Sequence, residues 1–74
     1  MRYISAMPEE RLALAKRHVE EGRRIVERQR KIVSLQYRLG VSTAESQRLL
    51  ADFEHSLAIF EADLAAIKGQ GGVD

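Results

Sequence analysis

A helix stop and a helix start adjoin in the stretch Leu39-Gly40-Val41-Ser42-Thr43-Ala44-Glu45. Gly40 can adopt the left-handed conformation that closes a helix, and Val41 can then fold back onto the last turn. The residues that follow fit the capping box that opens a helix, with Ser42 as N-cap and Glu45 reaching back to it. Because so little chain separates the two signals, the pattern predicts two antiparallel helices joined by a tight turn.

The outer ends of these helices are marked as well. Pro8 is followed by Glu9 and Glu10, which is typical of a first helical turn because proline presets φ and acids favour the positive end of the helix dipole. Glycines after Lys68 are expected to end the second helix. The predicted division of this all-α chain is an N-terminal tail (1–7), a helical hairpin domain (8–68, with helices over 8–39 and 43–68) and a flexible C-terminal tail (69–74).

Composition limits what such a hairpin can be. The chain has 74 residues and no cysteine, so neither disulfides nor thiolate zinc sites can stabilise a small core. The N-terminus has no continuous apolar run of the kind found in signal peptides, and no segment has the roughly 20 apolar residues that span a bilayer. We therefore expect a cytoplasmic protein without a membrane partner.

Both helices carry sequence repeats of seven residues, which predict left-handed packing of the coiled-coil type. The predicted seam, which serves as core and oligomer interface, consists of Val19, Gly22, Ile25, Val26, Gln29, Ile32, Val33 and Gln36 in the first helix and Leu50, Phe53, Leu57, Phe60 and Leu64 in the second.

The apolar stripe of the first helix is wider than one partner helix can cover, because Ile-Val pairs adjoin in it. A column of small residues, Ala51, Ala58 and Ala65, flanks the stripe of the second helix and would allow another helix to approach closely. We therefore expect two hairpins to form a four-helix bundle, as a homodimer or a higher even oligomer.

Polar residues interrupt the stripe of the first helix. In the antiparallel alignment Gly22 lies opposite Phe60, Gln29 lies near Phe53, and Gln36 lies near the turn. The two glutamines are expected to hydrogen-bond between helices and to fix register and oligomeric state. The alternative is that they line a polar ligand site inside the bundle.

The two halves of the chain carry opposite charge. Residues 16–38 contain eight basic and three acidic side chains, whereas residues 43–67 contain one basic and five acidic ones, so the helices attract each other. The bases lie in columns predicted to face outward. A second function, contact with nucleic-acid phosphates, would use Arg17, Arg23, Arg24, Arg30, Lys31 and Arg38.

No catalytic or cofactor motif accompanies these features. His18 and His55 are too far apart along the hairpin to share a metal, so His18 is expected near the seam and His55 at the surface. There is no glycine-rich phosphate loop, no cysteine nucleophile and no serine elbow. The sequence predicts a non-enzyme without metal or cofactor.

One resemblance covers about two-thirds of the chain. The matching residues are His18-Val19-x-Glu21-Gly22-x-Arg24-Ile25-Val26-x-Arg28-Gln29-Arg30, the turn residues Gly40 and Thr43-Ala44-Glu45, and Leu49-Leu50-x-x-Phe53-Glu54. In these the chain resembles short, uncharacterised two-helix proteins of soil-dwelling alphaproteobacteria. The resemblance implies a natural, standalone small protein and carries no activity with it.

Together these observations predict a homo-oligomeric helical interaction module, such as a small regulator or adaptor that docks a larger protein through its charged outer face. The alternative is a small nucleic-acid-associated protein that binds phosphates through the basic columns of the first helix. Salt-dependent binding to unrelated DNA would separate the two, because only the second predicts it.

Overall fold

The computed structural model describes residues 8–71, which form two helices packed against each other. Helix α1 runs Pro8–Leu39 and helix α2 runs Ala44–Gly71. No strand occurs within this described range. The helices are antiparallel, because Arg11 at the start of α1 hydrogen-bonds Gln70 at the end of α2. The predicted all-α two-helix architecture is confirmed.

The turn closes α1 as the sequence predicts. Gly40 has φ of 76°, a conformation that a side chain would strain. Its amide donates to the carbonyl of Tyr37 at 3.1 Å, and the amide of Val41 donates to the carbonyl of Gln36 at 3.1 Å. These two hydrogen bonds are the pair that defines a Schellman motif, so Gly40 occupies the predicted C′ position.

The start of α2 differs in detail from the predicted capping box. The helix begins at Ala44, and the carbonyl of Thr43 accepts the first helical hydrogen bond, from the amide of Gln47 at 2.8 Å. Thr43 therefore takes the N-cap place that the sequence assigned to Ser42. The Ser42 hydroxyl instead accepts a long hydrogen bond, 3.4 Å, from the amide of Ala44. The Thr43 hydroxyl accepts from the side-chain amide of Gln47 at 2.9 Å, so this contact links the first helical turn to its N-cap.

The sequence predicts that the second helix ends at Lys68, and the structure corrects this, since α2 continues to Gly71. Residues 69–71 are therefore helical and not part of a flexible tail. Glycine costs about 1 kcal/mol in a helix but does not break it. Because α1 begins at Pro8, it still lies beside these last residues, and the Arg11–Gln70 hydrogen bond of 3.4 Å joins the two ends. The predicted tail over 1–7, and residues 72–74 of the other tail, lie outside the described residues.

The seam between the helices follows the heptad pattern. A Cβ placed on Gly22 would lie 3.1 Å from Leu57 and 3.6 Å from Phe60, which confirms that Gly22 faces the aromatic ring. The buried residues of α1 are spaced alternately by four and three, namely Ala15, Val19, Gly22, Val26 and Gln29. Between residues 44 and 70 of α2, no residue is fully buried. The hairpin is thus a single layer of two helices with a thin core.

In the part of the chain that the structure describes, neither α1 nor α2 combines the length and the apolar character needed to cross a bilayer.

Candidate functional site

The predicted seam divides into residues that pack within the hairpin and residues that do not. Val19 and Val26 are each only 2% exposed, whereas Val33 and Gln36 nearer the turn are half-buried. All five predicted seam residues of α2 are half-buried: Leu50, Phe53, Leu57, Phe60 and Leu64. Contact with α1 alone therefore leaves part of each α2 seam side chain accessible.

Two predicted seam residues lie beside the seam and not in it. Ile25 is half-buried and Ile32 is 39% exposed. They follow Gly22 and Gln29 by three residues, which places them on one flank of the α1 seam. The expectation that the apolar stripe of α1 is wider than one helix can cover is thereby confirmed.

That flank is the edge of an apolar face. The helical positions of six large exposed side chains place them on the same side of the hairpin as this flank. We call these six residues the apolar face: Leu14, Ile32, Leu35, Leu39, Leu49 and Ile59. On α1, Ile32, Leu35 and Leu39 are three or four residues apart and form one strip, and Leu14 lies three heptads before Leu35 in the same column, with Glu21 and Arg28 between them. Leu49 on α2 lies at the level of Ile32, which continues the strip across the hairpin. The apolar face thus covers one broad side of the two-helix layer, most densely near the turn.

The opposite side of the layer is charged. Arg23 pairs with Glu61 at 3.5 Å, and Arg30 pairs with Glu54 at 3.2 Å. Arg23 and Arg30 follow the seam residues Val19 and Val26 by four, so they lie on the flank away from Ile25 and Ile32. We call this flank the ion-pair side. The predicted attraction between a basic α1 and an acidic α2 is confirmed at these two pairs, although exposed pairs contribute only about 0–1 kcal/mol each.

These pairs correct part of the phosphate-binding hypothesis, which placed all six bases on the outer face of α1. Arg23 and Arg30 instead border the seam, and their guanidinium groups are held by glutamates of α2. The other four bases form one exposed column along the back of α1, spaced by seven residues: Arg17, Arg24, Lys31 and Arg38.

The alanine column lies on the ion-pair side of α2. Ala51, Ala58 and Ala65 are all exposed, and Ala58 lies three or four residues from Glu54 and Glu61. A helix that approached this column would meet carboxylates. Most of the large exposed apolar side chains lie on the other side, but Tyr37, seven residues after Arg30, lies on the ion-pair side and is 78% exposed. The prediction that a further helix packs against the alanines stays untested.

The two seam glutamines differ in their partners. Gln29 is 7% exposed, and its Nε2 donates to the carbonyl oxygen of Ser46 across the seam at 3.0 Å. This is an interhelical hydrogen bond of the predicted kind, because it ties α1 to one level of α2. The Oε1 atom of Gln36 is buried and has no hydrogen-bond partner within residues 8–71.

A groove opens between the helices at the end opposite the turn. His18 is half-buried there and packs on the ring of Phe60, with centroids 5.2 Å apart. Arg11, Asp63 and Gln70 border the groove. His55 is exposed, as expected, and within residues 8–71 no group of three or more His, Asp or Glu side chains converges to hold a metal ion.

Comparison of the chain with family models, curated proteins and solved structures finds no match. The resemblance to alphaproteobacterial two-helix proteins therefore stays a prediction.

Sequence reasoning missed part of the apolar face, namely Leu14, Leu35, Leu49 and Ile59. A signal was present, because Leu14 and Leu35 are separated by three heptads and so lie in one column of α1. The seam uses only two of the seven heptad columns and so does not include these residues. The second stripe is visible in the sequence when the apolar residues of every heptad column are compared.

Proposed function

We propose that the chain is a non-enzymatic, self-associating helical module in which two hairpins pack through their apolar faces into a four-helix bundle. The observation that carries the proposal is that six of the eight large exposed apolar side chains within residues 8–71 lie on one side of the two-helix layer. Tyr37 lies on the other side and Val41 lies in the turn. Scattered surface apolar residues need no explanation, but a contiguous apolar patch indicates an interaction surface.

Burial supports the same proposal. Leu35 is 49% exposed and Leu39 is 67% exposed in the isolated hairpin. Removing such surface from water contributes about 25 cal/mol per Å² of apolar area. Domains are ordinarily built from at least two packed layers, and a second hairpin laid on the apolar face would supply the missing layer. The half-buried seam residues of α2 would lose further accessible area in the same step.

The ion-pair side of the layer is better suited to remain exposed to solvent. Packing a second hairpin there would desolvate the Arg23–Glu61 and Arg30–Glu54 pairs, and taking ion pairs out of water costs free energy that their attraction does not always offset. In a bundle joined through the apolar faces, these pairs and the column of Arg17, Arg24, Lys31 and Arg38 stay outside. That outer surface is where we expect a larger protein partner to dock.

Two charge-introducing variants test which side associates. Leu35→Glu places a carboxylate on the apolar face, three or four residues from Lys31 and Arg38, so the helix itself should tolerate it. Ala58→Lys is the matched control on the ion-pair side, between Glu54 and Glu61. Circular dichroism first checks that both variants remain helical.

Sedimentation equilibrium then measures the dissociation constant of each variant. The proposal predicts that Leu35→Glu weakens association by at least about tenfold, which corresponds to 1.4 kcal/mol, whereas Ala58→Lys leaves it unchanged. If Ala58→Lys disrupts association and Leu35→Glu does not, the alanine column is the interface and the apolar-face proposal is wrong.

Phosphate binding is the second candidate function, and one observation favours it. Arg17, Arg24, Lys31 and Arg38 are exposed, and no carboxylate of α2 holds them as Glu54 and Glu61 hold Arg30 and Arg23. Arg23 and Arg30 are paired with glutamates of α2, so only four of the six predicted bases remain for phosphate contact. Phosphate binding is therefore a weaker candidate than self-association. Both functions could share one bundle, because the column lies outside the proposed interface.

A further inference from the structure

The outer edge of the apolar face on α1 is one heptad column that is complementary to its own reverse. Its members are all exposed and follow one another at intervals of seven: Leu14, Glu21, Arg28 and Leu35. Each end is a leucine, and the two middle positions carry opposite charges. Adjacent members are about 10.5 Å apart along the helix.

The two middle charges have no partner in their own hairpin. Within residues 8–71, neither Glu21 nor Arg28 takes part in an ion pair or a side-chain hydrogen bond, whereas Arg23 and Arg30 are paired with α2. Glu21 and Arg28 flank Ile25, which is itself half-buried. A partner placed on this face therefore meets one carboxylate, one guanidinium and an isoleucine between them.

A second copy of α1, turned end for end, matches this column at every position. A two-fold axis that passes beside Ile25 sets Glu21 against the partner's Arg28 and Arg28 against the partner's Glu21. The same rotation sets Leu14 against the partner's Leu35, and Leu35 against the partner's Leu14. A two-fold interface requires self-complementarity of this kind, because the symmetry repeats every contact between two different residues.

We propose that the two hairpins associate with α1 antiparallel to α1 of the partner about this two-fold axis. The inference rests on the proposed self-association and specifies its geometry. Placing α1 over the partner's α2 instead, with both turns at one end, sets Arg28 beside the partner's Asp52 but sets Glu21 beside the partner's Ile59, so the Glu21 carboxylate has no cation opposite it. Only the α1–α1 arrangement gives both charges of each chain an opposite charge. Charge matching therefore favours the α1–α1 arrangement, and it fixes orientation more than it adds affinity.

Charge reversal tests the arrangement without altering the hairpin seam. In Glu21→Arg and in Arg28→Glu, each homodimer would bring like charges together at two symmetric contacts, so we expect about tenfold weaker association. Mixing the two variants should restore wild-type affinity, because one chain then presents two acids to two bases. The double variant Glu21→Arg/Arg28→Glu should restore it as well. Glu27→Arg, the same change on the ion-pair side, is the matched control and should have little effect.

The outcomes separate this inference from the proposal beneath it. A wild-type chain that stays monomeric overturns both. A wild-type dimer in which Glu21→Arg and Glu27→Arg weaken association equally, or in which mixing restores nothing, overturns the α1–α1 arrangement and leaves self-association standing.

A cross-link gives a second, independent readout. The chain has no cysteine, so Ile25→Cys introduces one thiol per chain, and the two thiols of a dimer would lie beside the two-fold axis. A disulfide needs Cα atoms about 4.4–6.8 Å apart, so it reports proximity directly. We expect Ile25→Cys to form covalent dimers on mild oxidation faster than Ser34→Cys, an exposed position on the other side of α1. Equal rates for the two variants would contradict the arrangement.

Discussion

Replacing Gln36 with leucine should stabilise the protein. The Oε1 atom of Gln36 is buried without a hydrogen-bond partner among the described residues, and such an atom costs about 1–3 kcal/mol. Leucine has a similar volume and removes that atom. Because Gln36 as a whole is only half-buried, we expect the lower part of the range, a rise of about 1 kcal/mol in the free energy of unfolding. For a domain of this size the melting temperature should rise by about 4–8 °C.

Gln29→Leu is the matched comparison, because Gln29 lies one heptad earlier in the same column and its amide is satisfied. The variant loses the 3.0 Å hydrogen bond to Ser46, worth about 0.5–1.5 kcal/mol, against a gain in apolar burial. We therefore expect a smaller rise in melting temperature than for Gln36→Leu. Because this bond ties the two helices at one level, its loss should broaden the distribution of oligomeric states.

The assay is urea denaturation followed by circular dichroism at one fixed protomer concentration, since the stability of an associating chain depends on concentration. Size-exclusion chromatography of the same samples reports the oligomeric state. A Gln36→Leu variant no more stable than the wild type would refute the reasoning about its buried oxygen. A Gln29→Leu variant that is less stable yet still uniquely assembled would refute the register role of Gln29.

Three further predictions concern glycines and bases. Gly40→Ala should destabilise the hairpin by about 1–2 kcal/mol, because Gly40 has positive φ, whereas Gly69→Ala, in a helical position with open space around it, should stabilise by up to about 1 kcal/mol. Thermal unfolding of both variants checks this, and a lower melting temperature in both would contradict it. Gly22→Ala should be neutral to stabilising by about 1 kcal/mol, since the one tight contact of its Cβ would be with the end methyl of half-buried Leu57 at 3.1 Å, and its contact with Phe60 at 3.6 Å is ordinary packing, while Gly22→Leu should destabilise by about 1–3 kcal/mol. If Gly22→Ala lowers the free energy of unfolding in urea, Leu57 is less able to move aside than its half-buried position indicates. Fluorescence anisotropy with duplex DNA in low salt should show no binding if self-association is the only function, whereas salt-sensitive binding lost in Arg24→Glu would show that the column of Arg17, Arg24, Lys31 and Arg38 also binds phosphates.

The turn was predictable because its determinants are local. Gly40 and Val41 form the Schellman motif that the sequence indicates, and only a glycine tolerates that φ without strain. The register was predictable for a related reason. Once the turn is placed, an antiparallel alignment fixes which residues face each other, and Gly22 indeed faces Phe60.

The errors arose where tertiary contact outweighs local preference. Glycines after Lys68 predict a helix end, but α1 extends far enough to support Gln70, so α2 continues. Ser42 and Thr43 are both good N-caps, and the sequence does not state which carbonyl begins the helical ladder.

The candidate interface was only half predictable. The excess width of the α1 stripe can be counted from Ile25 and Ile32, but the side of the hairpin that it occupies depends on how α1 is rotated against α2. That rotation becomes known only from contacts such as Arg30–Glu54, which place charge on one side and leave Leu35 and Leu49 on the other.

The mass of the unmodified chain in solution tests the central claim most directly. Sedimentation equilibrium from low to high micromolar concentration compares the observed mass with that of one chain, 8.4 kDa. Self-association through the apolar face predicts twice that mass, with dissociation and loss of helix coupled on dilution. A helical, cooperatively unfolding species of 8.4 kDa throughout this range would contradict it.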